Sequence, residues 1–213
     1  MKHTIHQPTL AAVLALSLMA APGAFADDAT AQAAVVKEKI QSLRTDCTSG
    51  RHQVTATVEE LGRLTAPGVE LRPQFEKYKA ELIKMEAKAD NARKRADAMK
   101  SKGQEFFADW EQQVKSIQNE DIRKAAEKRL VKRKKSYDKI LSTMQEAKAE
   151  LVPFMSDLND LKKLFESELT TASIASAKSL IRQASWHGND VTESLLDVEK
   201  ELDRVAAELA KYQ

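Results

Sequence analysis

His52 and His187 are the two histidines that follow residue 26 in this 213-residue sequence, and paired histidines can hold zinc or haem. The helical register places His52 on a solvent-facing position and His187 at the flank of the helix interface. No Cys-x-x-Cys, His-x-x-x-His or Glu-x-x-His spacing supplies further ligands. We therefore expect no metal site and no cofactor.

The sequence contains no pattern typical of covalent or acid–base catalysis. No serine stands in a Gly-x-Ser-x-Gly turn, and no glycine-rich loop is present to hold a phosphate. The adjacent carboxylates Glu59 and Glu60 are explained by solvation on a charged helix face, and an acidic pair without a cavity is weak evidence for catalysis. We expect a protein that is not an enzyme and that acts by binding.

A basic stretch lies in the third helical segment and contains six basic residues within eight positions: Lys128, Arg129, Lys132, Arg133, Lys134 and Lys135. Such a stretch can contact the phosphate groups of lipid or nucleic acid. The alternative is a solvated helix face that pairs within the chain, with Glu105 and Asp109 as partners. Arg133 falls on an inner position, where its aliphatic stem can lie along the helix interface. The stretch is a candidate contact for an anionic surface.

Trp186 lies off the apolar stripe of its helix and is a candidate contact for a partner, unless a neighbouring helix covers it. Trp110, which stands close to Phe106 and Phe107, is expected in the core. Cys47 is the single cysteine and falls on the apolar stripe of the first segment. We interpret Cys47 as a buried residue, with an intermolecular disulfide as the alternative.

Apolar residues recur alternately three and four positions apart through four long segments, which is the pattern of packed helices. Turn residues separate the segments, at 65–68, at Asn119 and at 170–173, and Pro153 is expected to kink the third helix without ending it. Short connections make sequential helices antiparallel. The sequence therefore predicts an all-α fold, an elongated antiparallel up-down-up-down bundle of four long coiled-coil helices, at about 29–64, 73–117, 120–168 and 172–212.

Three glycines, Gly50, Gly103 and Gly188, interrupt the apolar stripes. Reflecting the chain about its turns places Gly50, Ala89 and Gly188 near one level of the bundle, which we call the waist. Small residues there are explained by close helix packing, and the alternative is a cavity for a small ligand or lipid.

The N-terminus has the pattern of a secretory signal peptide. Lys2 precedes an apolar run over 10–21, and Ala24-Phe25-Ala26 gives a cleavage site. The run is shorter than the roughly 20 residues that span a bilayer. We predict a cleaved signal over 1–26, a single helical domain over 27–213 with no transmembrane segment, and a periplasmic or secreted location. A formal net charge of only +2 for the whole chain predicts no strong global attraction to nucleic acid or to anionic lipid.

A set of mostly helix-packing residues within 75–200 resembles a bacterial family of exported coiled-coil proteins catalogued as a domain of unknown function. The residues are Phe106-Phe107-Ala108-Asp109-Trp110-Glu111, Ile122-Arg123, Tyr137, Met144, Pro153-Phe154 and Ile174-Ala175-Ser176. Members of that family are sometimes labelled DNA-repair ATPases, although this sequence has no nucleotide-binding loop. Relatives often carry a lipid-anchor cysteine after the signal, whereas Asp27 stands there in this chain. The resemblance implies export and a coiled-coil fold, and it implies no particular activity.

These patterns predict a scaffold, interaction or chaperone-like protein of the bacterial envelope. The expected partner is another envelope protein or a second copy of this chain, and no nucleic acid is expected. Two alternatives remain open from the sequence: a carrier of a small ligand or lipid at the waist, and a helical protein that binds a membrane surface.

Overall fold

The computed structural model describes the backbone of residues 26–210 and the side chains of residues 37–208. These residues form helices and no strands, so the all-α prediction is confirmed for this part of the chain. The helices are α1 (Ala26–Arg63), α2 (Leu71–Lys115), α3 (Glu120–Ser167), α4 (Thr171–Ser176) and α5 (Lys178–Ala210). Apart from Ala26, where α1 begins, the expected signal peptide lies outside the described residues.

The turns that separate the first three helices carry the residue types that the sequence indicated. Gly68, between α1 and α2, has a φ of +72°, a conformation that glycine adopts without steric cost. At the start of α3, Oδ1 of Asn119 accepts a hydrogen bond of 3.0 Å from the backbone N–H of Ile122. Glu120 and Asp121 occupy the first turn, where negative charge interacts favourably with the helix dipole. Asn119, which the sequence indicated as a turn residue, therefore caps α3.

The last segment forms two helices where a single helix over 172–212 was expected. Thr170 caps α4, and its side chain and that of Ser173 exchange hydrogen bonds with each other's backbone N–H. The hydroxyl of Ser176 then donates to the carbonyl of Ser173 (2.8 Å), which also accepts from the N–H of Ala177 (3.0 Å). Serine hydroxyls compete with the backbone for helix carbonyls, and this accounts for the break at Ala177 before α5 begins.

The described chain divides into two compact units, and α1, α2, α3 and α5 contribute residues to both. The first unit contains residues 26–44, Arg95–Ser142 and 200–210. The second contains Thr45–Lys94 and Thr143–Glu199. Each unit has its own buried apolar residues, so each is described by itself.

In the first unit, Tyr137 of α3 packs on α2. Its hydroxyl donates a hydrogen bond to the carbonyl of Met99, and its ring centroid lies 5.1 Å from that of Phe107. The apolar stripe of α2 runs here through Gly103, Phe107, Trp110 and Val114, all buried. Alternating three and four positions onward from Gly103 would place Phe106 and Gln113 on this stripe, but Phe106 is only half-buried and Gln113 is exposed.

In the second unit, α1, α2, α3, α4 and α5 all contribute to one apolar cluster. Phe154, Leu158, Leu161 and Leu61 are completely buried, and burial of such a side chain stabilises the fold by about 1.5–3 kcal/mol. Tyr78 of α2 is also completely buried and donates its hydroxyl to the carbonyl of Leu158 (2.6 Å). α3 continues through Pro153, so no chain reversal occurs there.

Two polar bridges join α1 to α2 in the second unit, and each connects a glutamine with a glutamate of the other helix. Nε2 of Gln53 donates to the backbone carbonyl and the carboxylate of Glu81 (3.1 and 2.8 Å). Nε2 of Gln74 donates to the same two groups of Glu60 (2.8 and 2.7 Å). Both the glutamines and the glutamates are separated by 21 positions, which is three heptads. These bridges help to define the register of the two helices, because a shift would leave the buried amides without partners.

Candidate functional site

Trp186 is 65% exposed on α5 of the second unit, and this exposure distinguishes it among the aromatic residues. The other aromatic side chains of residues 37–208 are buried, except for the half-buried Phe106. The prediction that Trp186 lies off the apolar stripe is confirmed, and no described helix covers its indole. Trp110 is 7% exposed, so the expectation that it lies in the core is confirmed as well.

The helical repeat places Trp186 on the side of α5 opposite its buried residues. Ile181, Ala184, Gly188 and Val191 are buried and follow each other at intervals of three and four. At 100° per residue, Trp186 points away from this stripe, and its neighbours on the outer side are all exposed polar residues. We call this surface the Trp186 face and define it as Arg182, Trp186, Asn189, Asp190 and Glu193.

Two hydrogen bonds to Asp157 of α3 hold the turn of α5 that carries Trp186. Nδ1 of His187 lies 2.8 Å from Oδ2 of Asp157, and Nε2 of Gln183 donates to Oδ1 of the same carboxylate at 3.4 Å. Asp157 is buried, with 8% of its surface exposed. Because these contacts flank Trp186 on both sides in the sequence, the indole extends from a backbone segment whose position is fixed.

Gly188 allows α5 to pack closely at the same level. A Cβ on this residue would lie 3.0 Å from Val58, 3.1 Å from Phe154 and 3.3 Å from Val54. Such distances are shorter than ordinary van der Waals contact. Because glycine has no Cβ, α5 can lie nearer to α1 and α3 at this position. The glycine therefore belongs to the same rigid support of the Trp186 face as Asp157.

The waist expected from the sequence is not one level in the structure. A Cβ on Gly188 would lie against Val54 and Val58. A Cβ on Gly50 would lie 3.2 Å from the side chain of Leu195. Leu195 lies seven residues beyond Gly188, about 10 Å along a helix. Ala89 is buried in the apolar cluster. Gly50 and Gly188 therefore lie at different levels. Side chains lie close to both glycines, which favours close packing over a cavity.

The Trp186 face combines an exposed indole with charged and amide side chains. Asp157 and His187 form a pair, but among residues 37–208 no three histidine, cysteine, aspartate or glutamate side chains are grouped so that they could hold a metal ion. His52, the other candidate ligand, is exposed on α1, as its register indicated. An indole surrounded by charged and amide groups is suited to a protein contact, with an apolar centre and a polar rim.

The basic stretch lies in the first unit, on α3. Lys128, Arg129, Lys132, Lys134 and Lys135 are exposed and Arg133 is half-buried. Lys134 pairs with Asp138 on its own helix at 2.8 Å and lies 5.9 Å from the centre of the Phe107 ring. This pairing differs from the expectation that Glu105 and Asp109 of α2 are the partners.

Cys47 of α1 is buried in the second unit, as expected, and burial is the main cause that raises the pKa of its thiol to about 12. The nearby carboxylate of Glu199 raises this pKa further, whereas the guanidinium of Arg51 lowers it. Arg51 and Thr48 both donate to Oε1 of Glu199, at 3.4 and 2.9 Å. The thiol is therefore protonated at neutral pH and poorly suited to nucleophilic chemistry.

Asp157 supports the turn that carries Trp186, and the sequence did not reveal this contact. Asp157 stands 30 residues from His187 and 26 from Gln183, and spacing alone does not show which helices meet at which level. The available signal was an acidic residue next to Leu158, on the edge of a strongly apolar stripe.

In the part of the chain that the structure describes, no helix is long and apolar enough to cross a membrane. The fold defines a class of protein: all-α, with long helices packed through their apolar stripes. The chain belongs to the family described as "Protein of unknown function (DUF2959)", which matches residues 29–209. The resemblance to a family of unknown function is thereby confirmed. No curated protein and no solved structure matches the chain.

Proposed function

We propose that this chain is an exported, non-enzymatic protein of the bacterial envelope that binds another envelope protein through the Trp186 face. The observation that carries the proposal is the 65% exposure of Trp186 on a turn held by Asp157. Tryptophan is enriched among the residues that dominate binding energy, and a rigid support lowers the entropy cost of binding.

The remaining parts of the proposal come from the sequence. The signal peptide expected over 1–26 directs the chain to the periplasm or the exterior, and the heptad stripes favour an elongated antiparallel bundle of long helices. A bundle of this kind offers long outer faces, which suits a scaffold or chaperone-like role. The ligand-carrier alternative has less support, because side chains lie close to both Gly188 and Gly50.

Site-specific photocrosslinking in living cells tests the proposal. A photoreactive phenylalanine analogue replaces Trp186 in one strain, and Ile83 in a second strain serves as the matched control. Ile83 is 63% exposed on α2 of the same unit, so both probes are equally accessible. We expect one discrete crosslinked product from position 186 that mass spectrometry identifies as an envelope protein.

The control then decides whether the crosslink is specific. The same product from position 83, or no product from position 186, would contradict a binding site centred on Trp186. Recovery of the chain from the cytoplasmic fraction with residues 1–26 still attached would contradict the proposed export.

A further inference from the structure

We propose that the first unit carries a second binding surface, on α3, that contacts the headgroups of an anionic lipid bilayer. The inference is independent of the Trp186 face, which lies in the other unit. It starts from charge: between Arg123 and Lys135 the sequence has eight basic residues and one acidic residue, Glu127, in a chain whose formal net charge is only +2.

Three of the five lysines in this segment share one side of α3. Lys124, Lys128, Val131 and Lys135 are spaced by four, three and four residues, so at 100° per residue they fall within about 60° of arc. All four are exposed, and Leu130 and Tyr137, which are buried, lie on the other side of the helix. We call this surface the lysine stripe, and it extends about 16 Å along the helix.

Two of the three lysines of the stripe form no ion pair with a described residue. Lys124 pairs with Glu120 one turn earlier, at 2.6 Å. No carboxylate among the described residues lies within ion-pairing distance of Lys128 or Lys135. The stripe therefore presents cations that an external anion can approach.

The residue types favour a bilayer over other polyanions. Val131, at the centre of the stripe, is 67% exposed, and an aliphatic group between lysines can enter the boundary between headgroups and acyl chains. Single-stranded nucleic acid is bound by stacking on aromatic rings, and the segment from 120 to 136 has none. Stable protein interfaces are depleted in lysine, whereas a fluid layer of lipid phosphates accommodates flexible lysines.

Vesicle partitioning with matched charge variants tests this surface. The first variant combines Lys124→Gln, Lys128→Gln and Lys135→Gln. The control combines Lys77→Gln, Lys100→Gln and Lys178→Gln, which removes the same charge from exposed positions on α2 and α5. Both use the full chain, so any contribution of residues 1–26 is common to all proteins compared.

The full chain is expected to bind vesicles of equimolar phosphatidylglycerol and phosphatidylcholine at low salt, and not vesicles of phosphatidylcholine alone. Each lysine close to an anionic surface contributes about fivefold to partitioning, so the stripe variant is expected to bind about a hundredfold more weakly. The control variant is expected to bind within about threefold of the parent, because its distributed charges do not meet the surface together.

A Val131→Ser variant separates lipid from other polyanions. It is expected to weaken vesicle binding and to leave unchanged any binding to a single-stranded oligonucleotide, which has no apolar layer. The proposal is overturned if the parent does not bind anionic vesicles, if both triple variants lose binding equally, or if the oligonucleotide is bound as tightly as the vesicles.

Discussion

The ring of Tyr137 lies directly over the backbone of Gly103, and the Tyr137 hydroxyl donates to the carbonyl of Met99, one turn earlier on the same helix. In an α-helix that carbonyl is also the acceptor for the N–H of Gly103. The absence of a side chain at position 103 leaves room for the phenol to reach it. Gly103, which interrupts the apolar stripe of α2, therefore provides the space in which the Tyr137 side chain of α3 packs.

Gly103→Ala is expected to destabilise the protein by about 1–3 kcal/mol, because its Cβ overlaps the Tyr137 ring and forces a rearrangement. Gly62 of α1 is the matched control, since no neighbouring atom lies within 4 Å of a Cβ there. Gly62→Ala is expected to stabilise by about 0.5–1 kcal/mol. Urea unfolding measures both changes.

A double-mutant cycle tests the cause of the first effect. In a Tyr137→Ala background the cost of Gly103→Ala should disappear, because the overlapping ring is gone. An unchanged cost in that background would show that Gly103 is needed for another reason.

His187→Ala is expected to destabilise the second unit by about 1–3 kcal/mol, since Asp157 then remains buried with a weaker set of partners. Hydrogen exchange should show faster opening of the amides of 183–190, the turn that carries Trp186. His52→Ala, at an exposed position on α1, is the control and should leave exchange unchanged. Equal exchange in the two variants would contradict a supporting role for the Asp157 contact.

Glu81 contributes a pH-dependent part of the stability. The hydrogen bond from Lys84 and then that from Gln53 hold its pKa below the ordinary value of 4.5. A lowered pKa in the folded state means that this stabilisation is present above pH 4.5 and is lost as the pH falls through the lowered pKa. Carboxyl NMR titration should show the pKa of Glu81 rising toward 4.5 in Lys84→Met. A pKa that does not change in this variant would contradict the assignment of Lys84 as the main cause.

The thiol of Cys47 should not react with a disulfide reagent at pH 8 in the folded protein, because burial raises its pKa to about 12. Addition of urea above the unfolding midpoint should give one equivalent of reaction. Rapid reaction of the folded chain would contradict the burial of the thiol, whereas a dimer on non-reducing electrophoresis would favour the intermolecular disulfide.

Residue spacing predicted the helices and most of the core, because a stripe of alternating three and four residues fits one packed face. Phe75, Tyr78, Leu82 and Met85 are buried where the stripe placed them. The stripe failed after Gly103, where adjacent Phe106 and Phe107 allow two registers. In the observed register Phe107 faces inward and contacts Tyr137 of α3. The sequence of α2 alone does not reveal this contact.

Of the candidate site, the sequence could predict the exposed Trp186 but not the residues that support it. Trp186 was identifiable because its own helix shows that it lies off the stripe. The contacts of Asp157 and the position of Gly188 along the bundle depend on how neighbouring helices are aligned. Loop lengths determine this alignment, and the heptad pattern does not. The Gln53–Glu81 and Gln74–Glu60 bridges have only a weak signal in the sequence. Gln-x₆-Glu occurs four times, beginning at Gln53, Gln74, Gln104 and Gln113, and only the first two occurrences are 21 residues apart.

The affinity of the chain for the partner captured at position 186 tests the central claim most directly. Titration calorimetry would compare the parent with Trp186→Ala and with Ile83→Ala, which removes an equally exposed apolar side chain. We expect Trp186→Ala to weaken binding by about 30-fold, the loss of about 2 kcal/mol typical of a dominant interface residue, and Ile83→Ala to leave it unchanged. Equal affinities for the parent and Trp186→Ala would contradict the account.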